Sequence, residues 1–250
     1  MSPIATSLLV FVCVFGGALF GMFLRSRLPE HHLSAESQRV VSLGAGIIGT
    51  MAALVLGLLV ASAKGSYDAQ SDEMMDFSSR IVLLDRVLAH YGPEAKDARD
   101  LLRDVVARMV DRMWVERSGY SESKRIVTGG QVMYDKIQEL SPRDEAQRLI
   151  KTQALNLVLA LSQTRWLMFE QRGRSISVPL LMMLVFWLTI NFVSFGLFAP
   201  RNGTVITTLL LCAVAVSGAI FLILEMYEPY TGLIHISSAP VRSALEQLGR

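Results

Sequence analysis

The chain has 250 residues, of which 52% are hydrophobic and 18% are charged, so it is too apolar for an ordinary soluble domain. Most charges fall in residues 64–174, where 18 Lys plus Arg stand against 17 Asp plus Glu. Such an even balance argues against a nucleic-acid partner, which requires a strong basic excess. The two cysteines, Cys13 and Cys212, lie inside apolar runs, which argues against a disulfide framework or a metal site.

Four apolar runs are long enough to cross a bilayer, which requires about 20 consecutive apolar residues. They cover residues 4–24, 40–63, 176–199 and 205–226. No Lys or Arg precedes the first run and no small-residue cleavage site follows it, so we expect it to remain as an anchor. The predicted fold is an all-α integral membrane protein with four transmembrane helices and a helical, antiparallel coiled domain inserted between spans 2 and 3.

The predicted organisation has four parts. Spans 1 and 2 occupy residues 1–63, a polar helical domain residues 64–175, the hairpin of spans 3 and 4 residues 176–226, and an interfacial tail with a short helix residues 227–250. Positive charges near the ends of the spans favour the side of the polar domain, which predicts that this domain and both termini are cytoplasmic. We expect a multi-pass protein of the bacterial inner (plasma) membrane.

The link between spans 1 and 2 contains adjacent histidines, His31 and His32, near Glu30 and Glu36. Neighbouring residues on a helix do not face each other, and no further ligand follows at a suitable spacing, so no metal site is predicted. Because imidazoles titrate near neutral pH, the pair is a candidate pH-sensing or interface element.

Span 2 carries small residues at every fourth position. They are Ala45, Gly49, Ala53, Gly57 and Ala61. Small residues at this spacing let helices approach closely in lipid, so the stripe is either a packing face within one subunit or a face at which several copies meet. In the second case it would line a narrow apolar constriction that gates by dewetting, and Lys64 would add a ring of positive charge that attracts anions.

The chain between span 2 and residue 91 contains no proline, so one helix is predicted to leave the membrane and continue from about residue 42 to residue 91. Its later part has an apolar stripe that we expect to be buried against other helices of the polar domain. The stripe consists of Met74, Phe77, Ile81, Leu84, Leu88 and Tyr91. Further helices are predicted over residues 94–117 and 131–140, separated by a loop that contains Gly129 and Gly130. Ser141 is predicted to cap the last long helix.

Two polar features lie in or beside spans 3 and 4. Asn191 is predicted to form an interhelical hydrogen bond. Glu225 and Glu228 border the end of span 4, where they are either candidate acidic residues of a pore mouth or simply solvated at the membrane edge. Enzyme signatures are missing, so no catalytic residue and no cofactor are predicted, and the protein is not expected to be an enzyme.

Several stretches together resemble a bacterial membrane family of unknown function that is labelled bestrophin-like. They are RLPEHHLS (27–34), LGLLVASAKGSYDAQ (56–70), LDRVLAHYGPEA (84–95), NFVSFGLFAPRN (191–202) and LILEMYEPYTGLIHISSAPVRSALEQLG (222–249). The resemblance implies four spans, cytoplasmic termini and a pore helix that enters a helical cytosolic region, as in the pentameric anion channels of true bestrophins. Their acidic calcium site and aromatic neck have no match here, so none of their functional residues is carried over.

The leading functional hypothesis is therefore a homo-oligomeric ion channel, in which span 2 and its extension through residues 64–70 line a central pathway that conducts anions. The competing hypothesis is a membrane-anchored scaffold or sensor, whose helical domain binds a protein partner without transport. A membrane enzyme is the weaker third option. The lipid bilayer is a partner under each hypothesis.

Overall fold

A computed structural model describes residues 2–29, 34–114, 123–171, 176–228 and 232–249 of the chain. Every regular element in these ranges is helical, which confirms the all-α prediction. The helices are α1 (Pro3–Arg25), α2 (Ala35–Tyr91), α3 (Lys96–Trp114), α4 (Ser123–Gln138), α5 (Glu145–Gln171), α6 (Val178–Phe198), α7 (Gly203–Met226) and α8 (Ala239–Gln247), with a short 3-10 turn (Pro93–Ala95) before α3.

Four of these helices are long and apolar enough to cross a membrane, namely α1, α2, α6 and α7. The prediction of four transmembrane helices is thus confirmed. The unbroken helix that was expected from span 2 to Tyr91 is also present, and α2 has 57 residues. It begins earlier than predicted because the Ser34 hydroxyl accepts a hydrogen bond from the Ser37 amide (3.3 Å), which caps the first turn.

The chain divides into two compact units. The membrane unit consists of Met1–Ser66 and Ser175–Tyr227, and the polar unit consists of Tyr67–Arg174 and Glu228–Arg250. The tail, which the sequence suggested as a separate interfacial part, therefore belongs with the polar unit from Glu228 onward.

The closest helix packing in the membrane unit joins α1 and α6. A Cβ atom added to Gly21 would overlap the Val193 carbonyl oxygen, and one added to Gly196 would overlap the carbonyl oxygen of Ala18. The two backbones can touch only because both positions are glycine. Gly17 and Gly21 form a G-x-x-x-G pair in span 1. This pair is a sequence signal of close helix packing, which was predicted only for span 2.

The core of the polar unit confirms the predicted burial of the second half of α2. Met74, Leu84 and Leu88 are fully buried, and the rest of the predicted stripe is at most 6% exposed. These side chains form one cluster with buried residues of α3, α4, α5 and α8. The amphipathic face of α2 is thus covered within its own chain.

Two local predictions in the polar unit were wrong. Gly129 and Gly130 lie inside α4 rather than in a loop. The absence of a side chain at Gly130 serves close packing of α4 on α5, since a Cβ atom there would lie 2.6 Å from the Ser162 hydroxyl oxygen. The N-cap of α5 is Asp144 rather than Ser141, since the Asp144 carboxylate accepts a hydrogen bond from the Gln147 amide (2.7 Å). The Gln147 side chain in turn accepts from the Arg143 amide (2.8 Å).

The end of the chain is held on the polar unit by a buried carboxylate. Asp85, which is 4% exposed, accepts two hydrogen bonds from the Arg99 guanidinium, at 2.8 and 2.9 Å, and a third from the Gly249 amide at 3.2 Å. Val241 and Leu248 are buried in the same core. This arrangement fixes α8 through both apolar packing and charge.

Candidate functional site

The membrane-spanning part of α2 touches its own unit along a narrow seam. Its buried residues are Ala45, Ala52, Leu59 and Ala63. They recur at intervals of seven, seven and four residues, which places them on one side of the helix. The Ser62 hydroxyl, beside this seam, lies 3.1 Å from the Tyr227 hydroxyl and so ties α2 to the end of α7.

A second face of α2 carries exposed small residues and ends in a lysine. Its members are Gly46, Thr50, Ala53, Gly57, Ala61 and Lys64. Their spacing of 4, 3, 4, 4 and 3 residues follows the 3.6-residue period of an α-helix, so they lie in one line, and we call them the small face. Atoms of other residues come no closer than 4 Å to a Cβ added to Gly46 or Gly57.

A third face of α2 is exposed and bulky. It includes Leu43, Ile47, Leu54 and Leu58, which are between 62% and 71% exposed. By helical geometry the centre of this bulky face lies roughly 70° from the centre of the small face, and the centre of the small face lies roughly 130° from the buried seam. Within the membrane unit, α2 therefore presents the small face and a bulky apolar strip, and the described residues of its own chain cover neither.

The five residues of the predicted stripe do not share one face. Ala45 is buried, Gly49 is half-buried, and Ala53, Gly57 and Ala61 are exposed. Successive residues of an α-helix are about 100° apart, so a repeat of four advances the stripe by about 40° at each step. The stripe therefore begins on the buried seam and ends on the small face.

The residues after span 2 continue along α2 with mixed charges. Lys64 is exposed, Asp68 lies one turn further on the same side of the helix, and Gln70 is only 3% exposed. The region suggested to line a pathway thus presents a basic and an acidic side chain side by side, while Gln70 faces inward.

The remaining candidates lie in different environments. His31 and His32 fall outside the described residues. Glu225 is 5% exposed, whereas Glu228 is exposed, so the two carboxylates do not share a solvated edge. The Asn191 amide donates to the Trp187 carbonyl oxygen of its own helix (3.1 Å), rather than forming the predicted interhelical bond.

The Asn191 carboxamide nevertheless faces span 2. A Cβ atom on Gly49 would lie 3.6 Å from the Asn191 carboxamide oxygen. Gly49 therefore belongs to the contact between α2 and α6, which explains why it is half-buried. Substitution there tests packing within the subunit rather than the small face.

Two side chains of the polar unit, those of Arg99 and Tyr91, have raised pKa values. The hydrogen bond with Asp85 raises the pKa of the Arg99 guanidinium, which remains a fixed cation. Burial, followed by the charge of Glu94, raises the pKa of the Tyr91 phenol. Across the described ranges, we find no group of three or more His, Cys, Asp and Glu side chains that could hold a metal ion. Cys13 and Cys212 are both free thiols in this structure.

Comparison with known protein families gives a match over most of the chain. The sequence model of the bestrophin-like domain matches residues 12–241, which include α2, α6 and α7, the larger part of α1 and most of the polar unit. No curated protein and no solved structure matches the chain.

Proposed function

Because the chain belongs to the bestrophin-like family, we propose that it forms an oligomeric ion channel in which copies of the small face of α2 line a central pathway. The observation that carries this proposal is the small face itself. Its exposed residues run along α2 at helical spacing from Gly46 to Lys64. A face intended only for lipid has no need of small side chains, because bulky apolar residues contact acyl chains equally well.

The small face and the bulky strip of α2 are suited to contact different neighbours. Around a symmetry axis, glycine and alanine would let several helices approach closely and would leave a narrow apolar constriction. The bulky strip with Leu54 and Leu58 would then face lipid or an adjacent subunit. A single copy of α2 cannot enclose a pathway, so the channel requires a homo-oligomer with closed symmetry.

Charges at the end of the small face favour a role in selectivity. A ring of Lys64 side chains would attract anions where the apolar constriction meets water, and a ring of Asp68 one turn away would oppose that effect. We propose an anion pathway in which Lys64 forms the ring of charge next to the apolar constriction. Lys64→Gln should then shift the reversal potential toward cation permeation, and Asp68→Asn should shift it in the opposite direction.

We propose that the channel lies in the bacterial inner membrane, with the polar unit and both termini in the cytoplasm, and that it has no enzymatic activity. The continuous α2 supports a coupling role, since residues of this one helix belong to both the membrane unit and the polar unit.

Mass measurement of the protein in lipid nanodiscs, followed by conductance recording, tests the proposal. Gly57→Leu and Gly44→Leu make a matched pair, because a Cβ atom meets nothing within 4 Å at either position but only Gly57 lies on the small face. We expect a closed ring of four or more copies that conducts, loss of conductance in Gly57→Leu, and normal conductance in Gly44→Leu. A monomeric particle, or equal behaviour of the two variants, would contradict the proposal.

A groove in the polar unit favours the alternative function of a scaffold or sensor. It has a volume of about 510 Å³ between α2 and α8, and its lining includes Met75, Leu83 and Pro240. Met75 and Leu83 are nearly half exposed, at 49% and 44%. This alternative predicts that the purified protein carries no current after reconstitution, even if it assembles into a ring.

A further inference from the structure

Two arginines join the ends of α1 and α6 by exchanging hydrogen bonds. Arg25, the last residue of α1, donates to the Ala199 carbonyl oxygen just after α6, and Arg201 donates to the Met22 carbonyl oxygen in the last turn of α1. The Met22 carbonyl needs this partner because the Ser26 amide donates to Phe23 instead (3.1 Å). The Arg25 guanidinium is therefore bound at the C-terminal end of α6, and the Arg201 guanidinium, from the link between α6 and α7, is bound at the C-terminal end of α1.

This pair of guanidinium groups lies at the ends of candidate spans, where a bilayer would have its headgroups. The apolar helices α1 and α6 end here, at Arg25 and Phe198, and α7 begins at Gly203. Arg27 adds a third cation close by, with its guanidinium 5.1 Å from the centroid of the Phe23 ring. Arg25 is half-buried, whereas Arg27 and Arg201 are exposed to the surroundings of the membrane unit.

The cluster has an excess of positive charge. No carboxylate within the described part of the chain pairs with Arg25, Arg27 or Arg201. Along the links between the spans, the sequence has Glu30 and Glu36 against these three arginines and Arg39. A guanidinium has five N–H donors, and a bond to one carbonyl leaves most of them available for an anion.

We propose that Arg25, Arg27 and Arg201 bind the phosphodiester headgroup of an anionic phospholipid. Planar guanidiniums bind phosphate oxygens through paired hydrogen bonds, and the two fixed arginines are already ordered, so little side-chain entropy is lost on binding. A zwitterionic headgroup is less suitable because its ammonium group would approach the same cations. The site is independent of the proposed channel, since it involves neither the small face nor the number of subunits.

Native mass spectrometry of the full-length protein in detergent, titrated with phosphatidylglycerol, cardiolipin and phosphatidylcholine, tests this inference. We expect the wild-type protein to bind both anionic lipids roughly tenfold more tightly than phosphatidylcholine, and Arg201→Gln to lose roughly tenfold in that affinity. Arg201→Lys keeps the charge but cannot form paired hydrogen bonds with phosphate, so its affinity for anionic lipid should lie between those of the wild type and Arg201→Gln. Arg242→Gln is the matched control, because it removes an exposed arginine of the polar unit and should bind as the wild type does.

If loss of its hydrogen bond to α1 prevents Arg201→Gln from folding, Arg27→Gln still tests the inference. The Arg27 guanidinium contacts the Phe23 ring of α1, the helix that it follows. Arg27→Gln should bind anionic lipid less tightly than the wild type does while retaining its thermal stability. Equal affinity for anionic and zwitterionic lipids, or unchanged affinity in both Arg27→Gln and Arg201→Gln, would overturn the inference. Displacement of the lipid by millimolar inorganic phosphate would overturn it too, because the site would then serve a soluble anion.

Discussion

Gly196→Ala should push α1 and α6 apart and destabilise the membrane unit. The new methyl group would overlap the Ala18 carbonyl oxygen and lie 2.9 Å from its carbon, and a backbone atom in a helix cannot turn away as a side chain can. The helices would have to separate by on the order of 1 Å, which forfeits a quarter to a half of each dispersion contact along their interface. Overpacking of this kind costs about 1–3 kcal/mol, and we expect the upper end because the obstacle is backbone.

Equilibrium unfolding in mixed micelles, followed by tryptophan fluorescence, would measure this change. Gly218→Ala in α7 is the control, because its Cβ atom meets nothing within 4 Å and it should be neutral or slightly stabilising. The double variant Gly21→Ala with Gly196→Ala should cost less than the sum of the single variants, since the first substitution already opens the interface. Wild-type stability in Gly196→Ala, or strict additivity in the double variant, would refute the close contact.

Two further predictions concern the polar unit. Asp85→Asn should destabilise it by about 2 kcal/mol, less than for a fully buried pair because the Arg99 side chain is 23% exposed, and limited proteolysis should then release α8 more quickly than in the wild type. Tyr91→Phe should leave stability at pH 7 unchanged or raise it by up to about 1 kcal/mol, because the buried Tyr91 hydroxyl has no hydrogen-bond partner in the described residues. Because the folded state raises the pKa of Tyr91, wild-type stability should fall as the pH rises above 10, and thermal unfolding at several pH values should show a smaller fall in Tyr91→Phe.

Features that depend on neighbours along the chain could be predicted from the sequence. The four spans follow from the length of the apolar runs, since a bilayer requires about 20 apolar residues whatever lies beside them. The unbroken α2 follows from the absence of proline, and the burial of Met74 and Leu84 follows from their helical spacing. These properties are local, because a helix and its amphipathic face are defined over a few turns.

Tertiary contacts decided the remaining features. A repeat of four residues could not reveal that Ala45 is buried while Gly57 is exposed, because the stripe rotates around α2 and only the neighbouring helices determine which part they cover. The glycine contact between α1 and α6, and the hydrogen bonds of Arg25 and Arg201 at the ends of these helices, join residues more than 170 positions apart. The type and length of a helix are set by its own residues, but the face that it buries depends on partners that are distant in the sequence.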